Sequence, residues 1–210
     1  MKLLDIKTLP IKDIKVIKFA RFCDDRGYFT ESYRKSDFDN CKEINGITFV
    51  QCNESYSKSG TIRGLHFQWN PYMGKLVRTI TGRMIDMILD IRKGSTTFGK
   101  IVLYDMPSKH DYNYDEWIWI PPGFAHGNFF TEDTIIEYLC SGEYSPGCEA
   151  GISPLSSDID WSICEGQLKN LFDNTSSHTE LISDKDKDGL SVNEWVMDEK
   201  SNNFIYAGGE

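Results

Sequence analysis

Two histidines stand in segments whose residue types suit proton chemistry, in a chain of 210 residues that contains four histidines. His66 lies in residues 61–68, where β-branched and aromatic residues alternate around a glycine, as in a strand. Strict alternation predicts that the even-numbered residues, from Ile62 to Gln68, share the face of His66 and that Arg63 lies on the other face. Taken alone, this pattern favours a hydrogen-bonded core histidine.

His126 follows the tight turn Pro121-Pro122-Gly123, which delivers it to the start of another strand among small residues. A barrel would bring two such strands together, so His66 and His126 are candidates for one site. A metal site would need further nitrogen ligands, and Gln68 stands where a His-x-His pair would supply one. The residues therefore favour an acid/base pocket over a metal centre.

General-base catalysis needs an imidazole oriented by a carboxylate and an acid across the substrate. Tyr138 and Tyr144 are candidate acids, although each is equally compatible with a core aromatic. Arg26, Arg63 and Lys75 are candidate anion-binding residues, although a lone cation is more often a solvated surface charge.

Composition narrows the classes of function. Hydrophobic residues make up 40% and charged residues 26%, as in an ordinary globular protein, and the net charge of −9 argues against nucleic-acid binding. No apolar run approaches the roughly 20 residues that span a bilayer, and the N-terminus lacks the apolar core of a signal peptide. The six cysteines are scattered without C-x-x-C spacing, which favours free thiols. We expect a cytoplasmic protein without nucleic-acid or membrane partners.

Strand patterns dominate the first 150 residues. About ten short alternating segments, separated by turn signals, predict an all-β sandwich or barrel. A turn at Thr81-Gly82 is predicted to divide two strands, residues 75–80 and 83–92, and residues 47–54 are predicted to form another strand. A short helix is predicted over residues 36–41, with Ser36 as its cap.

The last 45 residues offer too few apolar side chains for a core of their own. We expect one domain spanning residues 1–210, in which residues 166–210 form a C-terminal arm packed on the β-structure. A short helix is predicted from Ser191, with Glu194 completing a capping box. The acidic run at residues 184–189 lacks the flanking helices and the final glutamate of a calcium-binding loop, so calcium is not expected there.

Several motifs occur together and in order: Asp25-Arg26-Gly27-Tyr28-Phe29, Gln51-Cys52-Asn53-Glu54-Ser55, Arg63-Gly64-Leu65-His66-Phe67-Gln68, Gly74-Lys75-Leu76-Val77-Arg78, residues 90–99, residues 121–127 and Ile182-Ser183-Asp184-Lys185-Asp186. Over residues 10 to 190 the chain resembles the dTDP-4-dehydrorhamnose 3,5-epimerase family, metal-free cupins of deoxysugar nucleotide synthesis. The resemblance implies an all-β, cupin-type jelly-roll barrel with short helices. It also implies a homodimer with sites shared across the interface, a nucleotide-diphosphate 4-keto-sugar substrate, and no metal or other cofactor.

The resemblance assigns roles in epimerisation at carbons 3 and 5 of that sugar. His66 would remove the proton next to the ketone, Asp186 would hold the His66 ring, and Tyr138 would return a proton from the other face. Lys75 and Arg63 would stabilise the charges of the enolate and the diphosphate.

Further substrate contacts are implied for His126, Gln51 and Asn53 within the chain, and for Arg26, Phe29 and Glu31 across to the partner's nucleotide. Tyr144 is the alternative to Tyr138 as the acid, because strand register decides which tyrosine faces the pocket.

Departures from the family pattern keep other activities open. Cys52 stands where the family commonly has Asp, Phe67 where it has Tyr, and residues 107–115 and 193–210 lie outside the common core. The alternatives are a single-centre epimerase or ketoisomerase, a non-catalytic sugar-nucleotide-binding cupin and, less favoured, a metal-dependent oxygenase.

Overall fold

A computed structural model of the chain describes residues 1–42, 44 and 46–208. Its strands are β1 (Leu3–Thr8), β2 (Lys15–Ala20), β3 (Phe22–Asp24), β4 (Gly27–Phe29), β5 (Gln51–Ser57), β6 (Ile62–Gln68), β7 (Lys75–Asp90), β8 (Ile101–Ser108), β9 (Tyr114–Ile120), β10 (Phe124–Phe130), β11 (Thr134–Cys140) and β12 (Glu149–Gly151). The helices are α1 (Lys35–Asp39), α2 (Gly166–Ser176), α3 (Asp184–Lys187) and α4 (Val192–Met197), with 3₁₀ turns at Thr179–Leu181 and Glu199–Asn203. The all-β, cupin-type jelly roll predicted from the sequence is confirmed.

Two antiparallel sheets share strand β7. In the first sheet the order is β1-β2-β9-β7-β11-β5, and in the second it is β8-β7-β10-β6-β12. The predicted break at Thr81-Gly82 is wrong, because β7 runs unbroken for 16 residues and passes from one sheet to the other there. Gly82 has a φ of +88°, and a Cβ at this position would lie 2.5 Å from the Asp133 carbonyl oxygen, so only glycine fits the crossing.

Three apolar clusters divide the core into layers. The central cluster lies between the two sheets and contains side chains from both, including Val77, Met84, Ile88 and Ile136. Helix α1 covers the outer face of the first sheet through Phe38. On the other side of the second sheet, Ile85, Met87 and Leu89 of β7, and Ile91 directly after it, all belong to the cluster that the C-terminal segment covers.

The C-terminal segment packs on the outer face of the second sheet. Phe172 of α2, Ile182, Val192 and Trp195 of α4, and Phe204 all belong to the cluster formed with that sheet. The predicted capping box is confirmed, because Ser191 and Glu194 each accept a hydrogen bond from the other's backbone N–H. Residues 209 and 210 of the predicted arm lie outside the described residues.

Strand β6 departs from the predicted alternation. Ile62 packs in the same cluster as Leu65 and Phe67, and Arg63 lines the same cavity as His66, so both face assignments are wrong. The cause is Gly64, whose φ of +111° breaks the two-residue period, opposite an irregularity in the pairing with β10. A Cβ at Gly64 would lie 2.5 Å from the Cα of Gly127, so the two strands approach closely at this point.

Other boundaries also differ from the predictions. Strand β5 begins at Gln51 rather than at residue 47, and it ends at Ser57 rather than at residue 54. Helix α1 has Arg34, not Ser36, at its N-cap and no side-chain cap. Strands β1 and β12 and helix α2 are absent from the predictions. The sequence of β1 is mixed and β12 has only three residues, so neither strand shows a clear period.

Candidate active site

The first element of the site is an aspartate–histidine pair. Strand β6 delivers His66, and the short helix α3, which begins after its cap Ser183, delivers Asp186. His66 Nε2 lies 2.7 Å from Asp186 Oδ1, and the Gly64 N–H donates to Asp186 Oδ2 at 3.4 Å. Burial raises the pKa of the Asp186 carboxyl, but hydrogen bonds with His66, Ser183 and Gly64 outweigh burial and lower this pKa below its ordinary value. An ionised Asp186 that accepts Nε2–H leaves Nδ1 of His66 as the proton acceptor.

A second aspartate–histidine pair lies one strand away. The Cα atoms of His126 on β10 and His66 on β6 are directly opposite in the sheet. His126 Nε2 lies 2.6 Å from Asp86 Oδ1, and Asn128 Nδ2 donates to the same oxygen at 3.5 Å. Burial lowers the pKa of His126 and outweighs the opposing charge of Asp86, so the His126 imidazole is neutral at neutral pH.

Lys75 and Tyr138 lie beside the first pair. Lys75 Nζ donates to the His66 carbonyl oxygen at 3.5 Å, and burial lowers the pKa of this ammonium group. Burial also raises the pKa of the Tyr138 hydroxyl, which therefore keeps its proton at neutral pH. A base, a cation and a neutral acid are thus present together, which is the set of groups needed for proton abstraction next to a carbonyl.

Two adjoining cavities give access to these groups. We call the first, of about 420 Å³, the front cavity; its lining includes Gln51, Asn53, Met73, Tyr144 and Glu149. We call the second, of about 300 Å³, the inner cavity; its lining includes Arg63, His126, Asn128 and Asp186. The two cavities share His66, Lys75, Tyr138 and Lys185. A ligand that fills both would therefore contact the base, the acid and the cation.

The two candidate acids differ in their surroundings. Tyr138 is partly buried and lines both cavities. Tyr144 is 54% exposed and lines only the front cavity, and its hydroxyl donates to Glu149 Oε1 at 2.9 Å. Of the two, Tyr138 is the better placed to act next to His66.

The polar lining of the front cavity is held in place by hydrogen bonds. Gln51 Nε2 donates to Asn53 Oδ1 at 3.0 Å, and Gln51 Oε1 accepts from the Tyr144 N–H at 2.8 Å. In the inner cavity, Arg63 is oriented by a bond from its Nε to Ser57 Oγ at 2.9 Å. These predicted residues come together around the two cavities.

Three predicted residues do not join the site within this chain. Arg26 pairs with Asp24 at the tip of the β3–β4 hairpin, and Phe29 of β4 is 64% exposed. Glu31 accepts hydrogen bonds from the Met1 amine, at 2.8 Å, and from Arg34. None of the three lines the front or the inner cavity, and their predicted contact with a partner's nucleotide stays a prediction.

Sequence reasoning missed Asp86, Glu149 and Lys185. Asp86 stands in a strand of buried apolar residues. A carboxylate in such a strand indicates that a partner lies nearby, because buried charges are rare without one. Lys185 precedes Asp186 in the helix and pairs with Glu149 at 3.3 Å, and both line the front cavity. No spacing in the sequence pointed to Glu149.

Gln68, which replaces a potential metal ligand, has a structural task. Its amide donates to the carbonyl oxygens of Pro71 at 3.0 Å and Glu143 at 2.9 Å, and accepts from the Ser145 N–H at 2.9 Å. Within residues 1–42, 44 and 46–208, no three His, Cys, Asp or Glu side chains cluster as metal ligands would. In the same residues, no helix combines the length and apolar character needed to cross a membrane.

Comparison with known proteins places these residues in context. The family model described as dTDP-4-dehydrorhamnose 3,5-epimerase matches residues 8–194. A relative of that name from Sinorhizobium fredii is 40% identical over 150 residues, which cover 70% of this chain and 73% of the relative. Another from Shigella flexneri is 36% identical over 188 residues, or 88% of this chain and 93% of the relative.

A solved structure extends the similarity to the whole fold. The dTDP-6-deoxy-D-glucose-3,5-epimerase of Legionella pneumophila, in complex with dTDP-4-keto-L-rhamnose, superposes with a TM-score of 0.79 at 29% identity. The match covers 98% of this chain and 99% of that one.

Proposed function

Because the chain belongs to the dTDP-4-dehydrorhamnose 3,5-epimerase family, we propose that it is an isomerase that inverts carbons 3 and 5 of dTDP-4-keto-6-deoxyglucose. The observation that carries this proposal is the His66–Asp186 pair, set beside Lys75 and Tyr138 where the two cavities meet. The same groups would act at both carbons, because each is next to the ketone at carbon 4 and each loses an acidic proton.

Proton abstraction is assigned to His66. Asp186 accepts Nε2–H and stabilises the imidazolium that forms when Nδ1 takes the proton from carbon. The electron pair of the broken C–H bond moves toward the ketone and forms an enolate. Lys75, which is partly buried and has few competing partners in the described part of the chain, is proposed to stabilise the oxygen of that enolate.

Reprotonation is assigned to Tyr138. Its raised pKa keeps the hydroxyl protonated until the enolate carbon accepts the proton, and transfer from the face opposite His66 inverts the centre. The neutral His126 is proposed to contact the sugar rather than to exchange protons with it, because burial keeps its pKa low.

The nucleotide is proposed to occupy the front cavity, where Gln51, Asn53 and Tyr144 would contact it. The diphosphate is proposed to lie where the two cavities meet, between Lys185, which lines both, and Arg63 of the inner cavity. The ligand in the Legionella structure is a nucleotide sugar of this kind, which supports the assignment.

We also propose that the chain is a homodimer in which the β3–β4 hairpin carries Arg26 and Phe29, and the segment after it carries Glu31, to the partner's site. Phe22 and Phe29 are 51% and 64% exposed, which supports this proposal, because large exposed apolar side chains mark surfaces that another protein chain covers. A single domain with residues 166–210 as its arm, and a cytoplasmic location, are proposed alongside. Free thiols such as those of Cys23 and Cys148 support a reducing compartment.

The deciding experiment is NMR of dTDP-4-keto-6-deoxyglucose in deuterated water with the protein. We expect deuterium at carbons 3 and 5 with the wild type and at neither carbon with His66→Ala. His110→Ala, at an exposed histidine away from both cavities, is the matched control and should behave as the wild type. Exchange at one carbon only would replace the proposal with a single-centre epimerase. Exchange that persists in His66→Ala would remove the assigned base.

A further inference from the structure

The end of the chain forms part of the core although it lies beyond the family match. That match ends at residue 194, whereas Trp195 is fully buried and Phe204 is 5% exposed. We call residues 195–206 the C-terminal brace. Its backbone is tied to the turn after β7, since the Lys93 N–H donates to the Phe204 carbonyl at 2.8 Å and the Tyr206 N–H donates to the Lys93 carbonyl at 2.9 Å.

The brace packs against the strand that carries the proposed base. The ring of Trp195 meets Phe67 edge-on, with the centroids 4.6 Å apart, and Phe204 meets Phe67 at 5.9 Å. Trp195 Nε1 donates to the Ile91 carbonyl at 3.3 Å, which fixes the indole in the core. Phe67 is the residue at which this chain departs from the tyrosine common in the family, and here its ring packs against the brace.

The brace also holds the loop that follows β6. The Tyr72 hydroxyl donates to the Asn203 carbonyl at 3.0 Å, and its ring meets Phe204 at 5.6 Å. The next residue in the loop, Met73, lines the front cavity. The brace therefore touches the outer side of a loop whose inner side forms a wall of the proposed nucleotide site.

Gln68 extends this connection across the cavity. It bonds to the Pro71 carbonyl in the braced loop and, from the same amide, to the Glu143 carbonyl and the Ser145 N–H. Tyr144 stands between those last two residues and lines the front cavity. A displacement of the braced loop would thus shift Met73 directly and Tyr144 through Gln68.

We propose that the C-terminal brace is a positioning element for nucleotide binding: it sets the distance between the Met73 and Tyr144 walls of the front cavity. The inference rests on the proposed function for the identity of the ligand. Among the described residues, no hydrogen bond joins the brace to the side chains of His66, Asp186 or Lys75. Loosening the brace should therefore weaken substrate binding and leave the proton-transfer steps intact.

Tyr72→Phe is the sharpest test, because it removes one bond to the brace and keeps the ring packing. Tyr72 is 49% exposed, so the variant should fold normally. Asn202→Ala is the matched control: it removes the bond from Lys93 to the same segment, at 2.9 Å, and touches neither the loop nor the cavity. KM and kcat would be measured from initial rates of deuterium incorporation, and the Kd of dTDP by calorimetry.

We expect Tyr72→Phe to raise KM and the Kd of dTDP by about three- to fivefold with kcat unchanged, as the loss of one hydrogen bond allows. We expect Asn202→Ala to change neither constant. Backbone amide exchange should become faster at residues 72–74 and 141–146 in Tyr72→Phe alone. The inference is overturned if KM is unchanged, if kcat falls in parallel, or if the control shows the same rise.

The same measurements separate this inference from the proposed function. A wild type that exchanges deuterium at neither carbon would refute the epimerase assignment, whereas the amide-exchange comparison between Tyr72→Phe and Asn202→Ala needs no substrate. An active wild type with identical amide exchange in both variants would refute the brace and leave the epimerase assignment standing.

Discussion

Two aspartate–histidine pairs of the same chemistry stand on neighbouring strands in opposite environments. The His66 side chain is 40% exposed beside a 7% exposed Asp186, whereas His126 and Asp86 are 7% and 0% exposed. The hydrogen-bond lengths, 2.7 and 2.6 Å, hardly differ. Both histidines line the inner cavity, so the exposure of the side chain, and not the bond within the pair, distinguishes the proposed base from a histidine that burial keeps neutral.

The partners of the two pairs also come from different places. Asp86 lies in the part of β7 that belongs to the second sheet and is fully buried, so its position is fixed by the core. Asp186 comes from a four-residue helix in the C-terminal segment, held by its Ser183 cap. We expect the first pair to affect catalysis most when altered, and the second to affect stability most.

His66→Ala should separate the pairs most strongly. Loss of a general base lowers rates by about 10²–10⁴-fold, and we expect kcat to fall by about 10³-fold. The free energy of unfolding should fall by only about 1 kcal/mol, because Asp186 keeps its bonds to Gly64 and Ser183. Rates of deuterium incorporation and urea titration would measure the two effects. A loss of stability as large as that of His126→Ala would contradict the distinction.

His126→Ala should act mainly on folding. It leaves the fully buried Asp86 without its closest hydrogen-bond partner, and an unsatisfied buried group costs about 1–3 kcal/mol, more when the group is charged. The double variant His126→Leu/Asp86→Leu should recover part of this loss, because neither charge nor imidazole is then left unpaired. Urea titration of the single and double variants would measure the difference. A double variant less stable than either single one would show that the pair itself stabilises the fold.

Asp186→Asn should lower kcat by about 100-fold while preserving the shape of the site. An amide can offer its N–H to His66 Nε2, which favours the wrong tautomer, with the proton on Nδ1. Asp184→Asn in the same helix is the control, because its side chain is 93% exposed and lines neither cavity. Steady-state rates of both variants would test this, and equal rates would mean that Asp186 does not orient the base.

Below pH 6.5 the buried pair should make stability depend on pH. The folded-state pKa of His126 is lowered, so the unfolded chain binds more protons as pH falls through the ordinary histidine pKa of about 6.5, and stability decreases. The contribution is at most about 1.4 kcal/mol per pH unit. The lowered pKa of Asp186 changes the free energy of unfolding only below about pH 4, which lies outside the pH range of this test. His126→Gln should flatten this dependence between pH 6.5 and 5.5 in urea titrations. An unchanged slope would contradict the assignment of the proton to His126.

Sequence reasoning reached the first pair more easily than the second. Alternation identified the strand of His66, and resemblance supplied Asp186, 120 residues later, which no local pattern connects to it. Alternation failed at Gly64, because a positive φ is a backbone property that strand period does not encode, and this placed Arg63 on the wrong face. Asp86 was missed as a partner of His126, because the inner face of β7 becomes visible only when both sheets are assembled.

The continuity of β7 has a consequence for how the molecule unfolds. One strand supplies Lys75 to the first sheet and Asp86 to the second, without a loop that would let either sheet separate. Local opening of one sheet would therefore disrupt hydrogen bonds of the other, and the two sheets constitute a single cooperative unit. A partially unfolded form that retains one sheet is therefore disfavoured. Lys75 and the His126–Asp86 pair should become ordered in the same folding step.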